Sequence, residues 1–419
     1  MREMKDSGVA WIGEMPASWT VSKMKTLGEY INGYAFKPSD WTDNGLPIIR
    51  IQDLTGSHKE PNYFNGVIDS KYLISNGDIL VSWAATLDAY LWGQGMAWLN
   101  QHIFKVIPNQ EIICKDYFLW LLKAAMEHMN NDNKHGIMMQ HVTLSVFNNF
   151  NVPVPSLNAQ KTLSQIICSN TKKVDALITN QEQQIEKLKA YKQSLITEAV
   201  TKGLNPDAPM KDSGVEWIGN IPSHWNVKRI KNAFSLRNEK NYESDLSKVN
   251  LISLYTDKGV IQHSDIVETT GNKAVTAEGY KCVCKSDIVV NIILCWMGAI
   301  GMSNYDGVTS PAYDIYKPIN NTNSRYYHYL FRTPRFNGEC YRYGRGIMMM
   351  RWRTYSTEFS SINIPCPPTE EQELIANYLD EKLAVIDRLV EIKQQKIEKL
   401  NDYKKSLIYE YVTGKKEVV

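Results

Sequence analysis

The sequence predicts an α+β chain in which two mixed α/β regions and two long helices are related by a pseudo-twofold internal repeat. Three observations predict it. A stretch from about Leu157 to Thr201 recurs without a gap 212 residues later: Asp175-Ala176-Leu177-Ile178, Ile185-Glu186-Lys187-Leu188, Tyr191-Lys192 and Ser194-Leu195-Ile196 return as Asp387-Arg388-Leu389-Val390, Ile397-Glu398-Lys399-Leu400, Tyr403-Lys404 and Ser406-Leu407-Ile408. A second block, Met4-Lys5-Asp6-Ser7-Gly8-Val9-Ala10-Trp11-Ile12-Gly13 with Pro16 and Trp19, returns 206 residues later as Met210-Lys211-Asp212-Ser213-Gly214-Val215-Glu216-Trp217-Ile218-Gly219 with Pro222 and Trp225. Between these shared ends the two halves hardly resemble each other. Near-identical blocks at a fixed offset mark a duplication, so a duplicated frame carries two divergent inserts.

At 419 residues the chain is long enough for two or three domains. A hydrophobic fraction of 43% and a charged fraction of 22% are those of an ordinary soluble protein. The net charge of only +2 confines any nucleic-acid surface to a local patch. There is no apolar run of ~18 residues to cross a membrane, and no hydrophobic stretch follows Met1-Arg2-Glu3-Met4-Lys5-Asp6 to make a signal peptide. The seven cysteines are odd in number and scattered, with Cys282 and Cys284 the closest pair. No second pair stands at zinc-finger spacing. Buried thiols in a reducing, cytoplasmic compartment are expected.

In chain order, the first repeat segment reads as irregular chain packed by Trp11 and Trp19, with sugar or base stacking the rival role for Trp11 and Trp217. Pro47-Ile48-Ile49-Arg50-Ile51 and Asp78-Ile79-Leu80-Val81-Ser82-Trp83 read as short strands bounded by turns. Lys115 to Met129 reads as a helix with Tyr117, Leu121, Leu122 and Ala125 on one face. Val152-Pro153-Val154-Pro155 ends the region and admits the first long helix, with Asn158 its candidate cap. The second half runs through Leu251–Tyr255, Asp287–Asn291 and a helix near Arg325–Phe331, and Ile364-Pro365-Cys366-Pro367-Pro368 opens the last helix. The expected domains are 1–152, 153–209, 210–364 and 365–419, with the long helices in the second and fourth.

Both repeated stretches are long helices by period. Ile167, Val174, Ile178, Ile185, Leu188 and Leu195 in the first, and Leu379, Ile386, Val390, Ile397, Leu400 and Leu407 in the second, fall on a 3.5-residue seam. Gln181/Lys393 and Lys192/Lys404 are polar layers in matching places. A solvated helix or a homodimer zipper is the plainer reading. Two equivalent seams in one chain favour their packing on each other, and these twelve residues are the candidate helix-pair and partner contacts.

Catalytic constellations are missing from the sequence. It has no Gly-x4-Gly-Lys-Ser/Thr loop for a nucleotide, no Asn/Asp-Pro-Pro-Tyr/Phe tetrapeptide of amino-methyltransferases, no His-Glu-x-x-His and no Gly-x-Ser-x-Gly. Pro206-Asp207 lies in a Pro-rich linker without a partnered acidic-x-Lys element and reads as a turn. No catalytic residue, metal ligand or cofactor is assigned to this chain.

Binding is better supported. Arg325, Arg332, Arg335, Arg342, Arg345, Arg351 and Arg353 share a segment whose one acidic residue is Glu339, interleaved with Tyr326, Tyr327, Tyr329, Tyr341, Tyr343 and Trp352. Guanidinium groups neutralise phosphates and pair bidentately with guanine edges, and aromatics pack on sugars or bases. A solvated basic helix with core tyrosines is the rival. Lys134, His135, Gln140 and His141 form a sparser counterpart in the first insert, beside Gly136-Ile137-Met138-Met139, which corresponds to Gly346-Ile347-Met348-Met349.

Taken together, these residues resemble the specificity subunit of type I restriction–modification enzymes across essentially the whole chain. The resemblance rests on Asp-Ser-Gly-Val-x-Trp-Ile-Gly-x-x-Pro-x-x-Trp at 6–19 and 212–225, Pro-x-Pro…Gln…Ile…Asp at 153–175 and 365–387, and Glu-Lys-Leu-x-x-Tyr-Lys-x-Ser-Leu-Ile at 186–196 and 398–408. Asn32-Gly33-Tyr34-Ala35-Phe36-Lys37, and Trp296-Met297-Gly298-Ala299-Ile300-Gly301 with Ser310-Pro311-Ala312-Tyr313, look like sequences of its target recognition domains. One departure is Asn158-Ala159-Gln160, where the family pattern is that of Glu370-Glu371-Gln372. The resemblance implies a non-catalytic subunit with two target recognition domains set apart by two long antiparallel helices, a coiled coil. Each domain would read one half of a bipartite asymmetric site in double-stranded DNA, with the helices fixing the spacer. Two methyltransferase subunits binding S-adenosylmethionine would methylate adenine N6, and restriction–translocase subunits using ATP and Mg would complete the enzyme. Two rivals stand beside it: a DNA methyltransferase or nuclease with its own activity, and a coiled-coil scaffold that binds only protein.

Overall fold

The chain is described by a computed structural model over residues 2–56, 60–134, 142–265, 276–346 and 352–417. Its main helices are α1 (Lys115–Lys134), α2 (Leu157–Lys202), α3 (Ser324–Phe331), α4 (Pro334–Tyr343) and α5 (Thr369–Val412). The fold is mixed α/β in two compact units. Unit 1 is Met1–Glu182 with Gln394–Val419, and unit 2 is Gln183–Lys393, so each unit takes one part of α2 and one part of α5.

Unit 1 begins with a small hairpin, Met4–Asp6 against Glu14–Pro16. The sequence suggested irregular chain here; the hairpin closes because Ser7 N donates to Gly13 O and Gly8 and Gly13 adopt positive φ. Trp11 and Trp19 are buried, as the packing reading expects. Thr20–Lys23 then pairs antiparallel with Asn151–Val154. Pro153 sits inside that strand, which a two-stranded ribbon tolerates because an edge position needs no N–H from it. An antiparallel sheet follows in the order Gly28–Asn32, Ile103–Pro108, Ile79–Ser82, Asp88–Leu91, and a mixed sheet in the order Asn62–Phe64, Leu46–Ile49, Ala97–Leu99, Leu73–Ile74. The predicted strand through Arg50 stops at Ile49, because Asp53 accepts a hydrogen bond from Arg50 N (2.8 Å) and a short helical turn, Ile51–Leu54, begins. α1 buries Tyr117, Phe118, Leu121, Leu122 and Ala125 against the antiparallel sheet.

Unit 2 repeats this frame. Met210–Asp212 pairs with Asn220–Pro222, and Asn226–Arg229 pairs with Asn363–Cys366. The antiparallel sheet runs Phe234–Leu236, Tyr313–Pro318, Ile288–Asn291, Ile300–Met302, the same order of strands as in unit 1. The mixed sheet of unit 1 has as its counterpart two ribbons, Ile252–Tyr255 with Gly259–Gln262 and Lys281–Val283 with Gly307–Thr309. α3 turns Tyr326, Tyr327, Leu330 and Phe331 inward to meet Phe234, Phe336 and Phe359. Each such fully buried side chain contributes about 1.5–3 kcal/mol.

The same polar contacts recur in the two units, some between strands and loops and some onto the long helices. Trp11 Nε1 donates to Asn151 O (2.8 Å), and Trp217 Nε1 to Asn363 O (3.2 Å). Tyr117 OH donates to Val412 O at the end of α5, and Tyr326 OH to Val200 O near the end of α2, capping carbonyls the helices leave open. Gln160 is fully buried: its Nε2 donates to Pro155 O and Ile112 O (both 2.9 Å), and its Oε1 accepts from Cys114 N (2.6 Å). Gln372 does the same with Pro367 O and Asn323 N.

The helix seam is buried at Ile167, Val174, Ile185, Leu379, Ile386, Ile397 and Leu407, and half-buried at Ile178, Leu188, Leu195, Val390 and Leu400. In unit 1 Asp175 accepts from Lys404 (2.6 Å) and Asn170 Nδ2 donates to Tyr411 OH (3.4 Å), so α2 and α5 run antiparallel there. In unit 2 Asp387 accepts from Lys192 (2.6 Å) and Gln184 from Lys393. Lys192, Lys393 and Lys404 of the polar layers therefore each meet a partner on the other helix, while Gln181 is buried in the seam.

The first long helix is capped by Ser156, whose Oγ accepts from Ala159 N (3.4 Å), and not by the expected Asn158, which lies inside the first turn. The helix starts at Leu157, two residues earlier than an Asn158 cap allows. Both long helices end on a left-handed glycine, Gly203 (φ 76°) and Gly414 (φ 73°). A Cβ on Gly414 would stand 2.4 Å from Pro16 Cδ, so the position excludes a side chain on steric grounds as well.

Candidate nucleic-acid interface

The described part of the arginine-rich segment of unit 2 forms α3, α4 and the chain at 344–346 and 352–354, and the fold divides its described arginines into two groups. The inward face of α3 leaves Arg325 beside α5, where it bonds Asn377 Oδ1 (3.0 Å) and pairs with Asp380. Arg332 follows the last turn of α3 and is half-buried. Its Nη2 donates to Thr256 O and Asp257 O (both 2.9 Å), and its Nη1 to Ile300 O (3.0 Å). Burial lowers its pKa from the ordinary arginine value. Both guanidinium groups hold the fold together.

Arg335, Arg342, Arg345 and Arg353 are exposed. Arg335 and Arg342 are two turns apart and share a side of α4, which starts at Pro334 behind the Thr333 cap. Arg342 pairs with Glu339 (2.8 Å), which raises its pKa, and lies over the Tyr343 ring (5.1 Å). Arg345 pairs with Glu358 (3.0 Å). Arg345 and Arg353 face each other across two backbone hydrogen bonds, Arg345 N to Arg353 O (2.8 Å) and Arg353 N to Arg345 O (3.0 Å). Among the described residues, Arg335 and Arg353 meet no carboxylate.

Aromatic rings floor this edge. Trp352 stacks on Tyr341 (4.9 Å, 19°), donates from Nε1 to Tyr341 O (2.9 Å), and Trp296 meets Tyr341 edge-on (5.8 Å). A Cβ on Gly344 would stand 2.3 Å from Trp352 Nε1, so the stack requires that glycine. Trp352 stood among the aromatics interleaved with the arginines, whereas Trp296 lies 29 positions before Arg325 and was outside the predicted binding residues. Of the remaining predicted residues, Arg351, His135, Gln140 and His141 lie outside the described residues, and Lys134 is the last residue of α1.

The two inserts meet their sheets in the same way. Thr354 N donates to Ile292 O (2.9 Å) in unit 2, and Val142 N donates to Trp83 O (3.0 Å) in unit 1. Unit 1 has a different edge, where the Arg50 guanidinium carbon lies 4.6 Å above the exposed Trp41 ring. Among the described residues no group of three or more His, Cys, Asp or Glu is placed to hold a metal ion. No helix is long and apolar enough to cross a membrane among the residues searched.

Comparison with known proteins places this architecture. The sequence profile of the type I restriction modification DNA specificity domain matches residues 16–189 and 222–402. The chain belongs to that family. The first matched segment takes in Trp41 and Arg50, and the second takes in α3, α4 and Arg353. Among relatives, the MjaVIII type I restriction enzyme specificity subunit of Methanocaldococcus jannaschii is 25% identical over 421 residues, covering 96% of this chain and 93% of the relative. The EcoBI specificity subunit of Escherichia coli is 24% identical over 208 residues, and the match takes in 49% of this chain and 44% of that protein. A chain from a solved structure concerned with complex assembly and conformational transition of the type I R-M system superposes with a TM-score of 0.66 at 12% identity, over 95% of this chain and 98% of the other. At that identity the likeness is one of fold.

Proposed function

We propose that this chain is the DNA-reading subunit of a type I restriction–modification complex, each unit recognising one half of a bipartite, asymmetric target. The observation that carries the reading is a set of shared contacts, Trp11–Asn151 with Trp217–Asn363 and Tyr117–Val412 with Tyr326–Val200, that recurs around two unlike edges. A symmetric homodimer reads a palindrome; one chain with two different readers suits two different half-sites. In unit 2 the readers are Arg335, Arg342, Arg345, Arg351 and Arg353 with Tyr343 beside them. In unit 1, Lys134, His135, Gln140 and His141 occupy the corresponding stretch.

α2 and α5 form an antiparallel coiled coil about a pseudo-twofold axis, which the reciprocal pairs Asp175–Lys404 and Lys192–Asp387 support. Its length sets the number of unread base pairs between the half-sites. The domains divide near 152, 209 and 364, where the reading regions pass into the helices. The chain performs no reaction itself. Methyltransferase subunits carrying S-adenosylmethionine would methylate adenine N6 in each half, and a motor–nuclease subunit using ATP and Mg would cut, all in the cytoplasm.

Selection of bound duplexes from a randomised pool, using the chain assembled with its methyltransferase subunit, tests this. Two short blocks at a fixed gap are expected. A single continuous block, or S-adenosylmethionine binding by the isolated chain, contradicts it.

A further inference from the structure

Unit 1 contains two arginines, Arg2 and Arg50. Arg2 is engaged at the end of α5, where its guanidinium bonds Gly414 O and Lys416 O. Arg50 is held differently. Its planar group lies over Trp41, 4.6 Å from the ring centroid, and its Nε is shut from water without a hydrogen-bond partner. The terminal nitrogens donate no hydrogen bond and meet no carboxylate among the described residues. What remains available is a fixed two-donor fork. The flexible, strongly hydrated lysines of unit 1, such as the exposed Lys25, Lys37 and Lys71, suit phosphates. A pre-oriented guanidinium fork suits the paired O6 and N7 acceptors of guanine.

The location agrees. Arg50 follows the end of Leu46–Ile49, where Asn100 N donates to Ile49 O (3.2 Å), and the Oδ1 of Asn100 is buried without a partner. The turn 100–102 continues to His102, whose carbonyl accepts from Trp83 N (3.1 Å), and Trp83 O receives Val142 N. Arg50 therefore stands at the end of the sheets to which the chain returns after 135–141. In unit 2 the corresponding return, at Thr354, carries Arg345 and Arg353.

We infer that Arg50, seated on Trp41, is the residue with which unit 1 reads a guanine in its half of the DNA target. This rests on the DNA-reading function proposed above. The test is dimethyl sulfate interference at guanine N7 on the complex with its methyltransferase subunit, together with methylation maps of R50A and R50K. The double variant R345A/R353A identifies the other half-site by changing it. The expected result is one interfering guanine in the unaffected half. R50A abolishes that interference and weakens discrimination at that position by about tenfold to a hundredfold. R50K, which keeps the charge but not the fork, relaxes it equally. A unit 1 half-site lacking guanine on both strands overturns the inference, as does a motif unchanged in R50A or full discrimination in R50K. If R50A does not fold, interference on the unaltered chain still decides. A target without two blocks would instead refute the DNA-reading function, leaving the two failures distinct.

Discussion

Replacing Arg335 and Arg353 together by alanine removes two exposed guanidinium groups that meet no carboxylate among the described residues. Each phosphate that the protein no longer neutralises lowers the slope of log affinity against log salt by ~0.9, so the double variant should flatten the slope by about 1.8. Arg332→Ala gives the contrast. It deletes the hydrogen bonds to Thr256 O, Asp257 O and Ile300 O, which at ~1 kcal/mol or more each predicts roughly 3 kcal/mol of lost stability and an unchanged slope. Arg342 and Arg345 fall between, since Glu339 and Glu358 already hold them and an exposed pair is worth about 0–1 kcal/mol. The assay is DNA binding by the assembled complex in a salt series, with denaturant unfolding of each variant in parallel. An unchanged slope in the double variant, or a flattened one in Arg332→Ala, would refute the division of the arginines.

Three further perturbations probe the frame. Gln160→Leu removes the partner of Pro155 O in a buried position and of Ile112 O and Cys114 N in partly buried ones, and at ~1–3 kcal/mol for a buried orphaned group it should cost at least about 1–3 kcal/mol in denaturant unfolding; a loss under ~1 kcal/mol would contradict the buried amide's role. His328 accepts from Met302 N through Nδ1, and burial, helped by Arg332 and opposed by Asp380, lowers its pKa to about 4. Its folded pKa lies below the unfolded ~6.5, so the neutral ring's contribution is complete above pH ~6.5 and is lost as pH falls toward 4. His328→Asn should remove that part of the acid sensitivity, measured by unfolding at several pH values; an unaltered pH profile would count against it. Inserting one helical turn after Glu186, matched by one opposite it on α5, should lengthen the spacer by about 6 Å, near two base pairs, and leave both half-sites as they were. Altered half-site bases would show that the helices do not act as a ruler.

The long helices were legible because their signal is a period. Ile167, Val174 and Leu407 are buried where the seam puts them, and duplication at a fixed offset tied the two copies together. The likeness of the two sheets was not legible. A buried strand such as Ile79–Ser82 and its counterpart Ile288–Asn291 need only apolar, β-compatible residues, so the fold persists while identity disappears. The basic segment was legible, but its division was not. Residue type alone does not show that Asp380, 55 positions away, takes Arg325, or that carbonyls at 256–257 take Arg332. Arg50 escaped notice for the opposite reason: a single arginine at the end of a strand forms no cluster, and only its seat on Trp41 distinguishes it. The family departure at Asn158-Ala159-Gln160 also reads differently in space. Gln160 keeps its bonds, whereas Ala159 stands where Glu371 binds Trp225 Nε1 (2.9 Å) and His224 (2.7 Å).

The most direct measurement is an adenine-methylation map of a host that expresses this chain with its cognate methyltransferase subunit. Two unlike short blocks at one fixed gap, each methylated on adenine and absent when the chain is omitted, is the predicted result. A continuous or palindromic motif, or methylation that persists without the chain, would contradict the account.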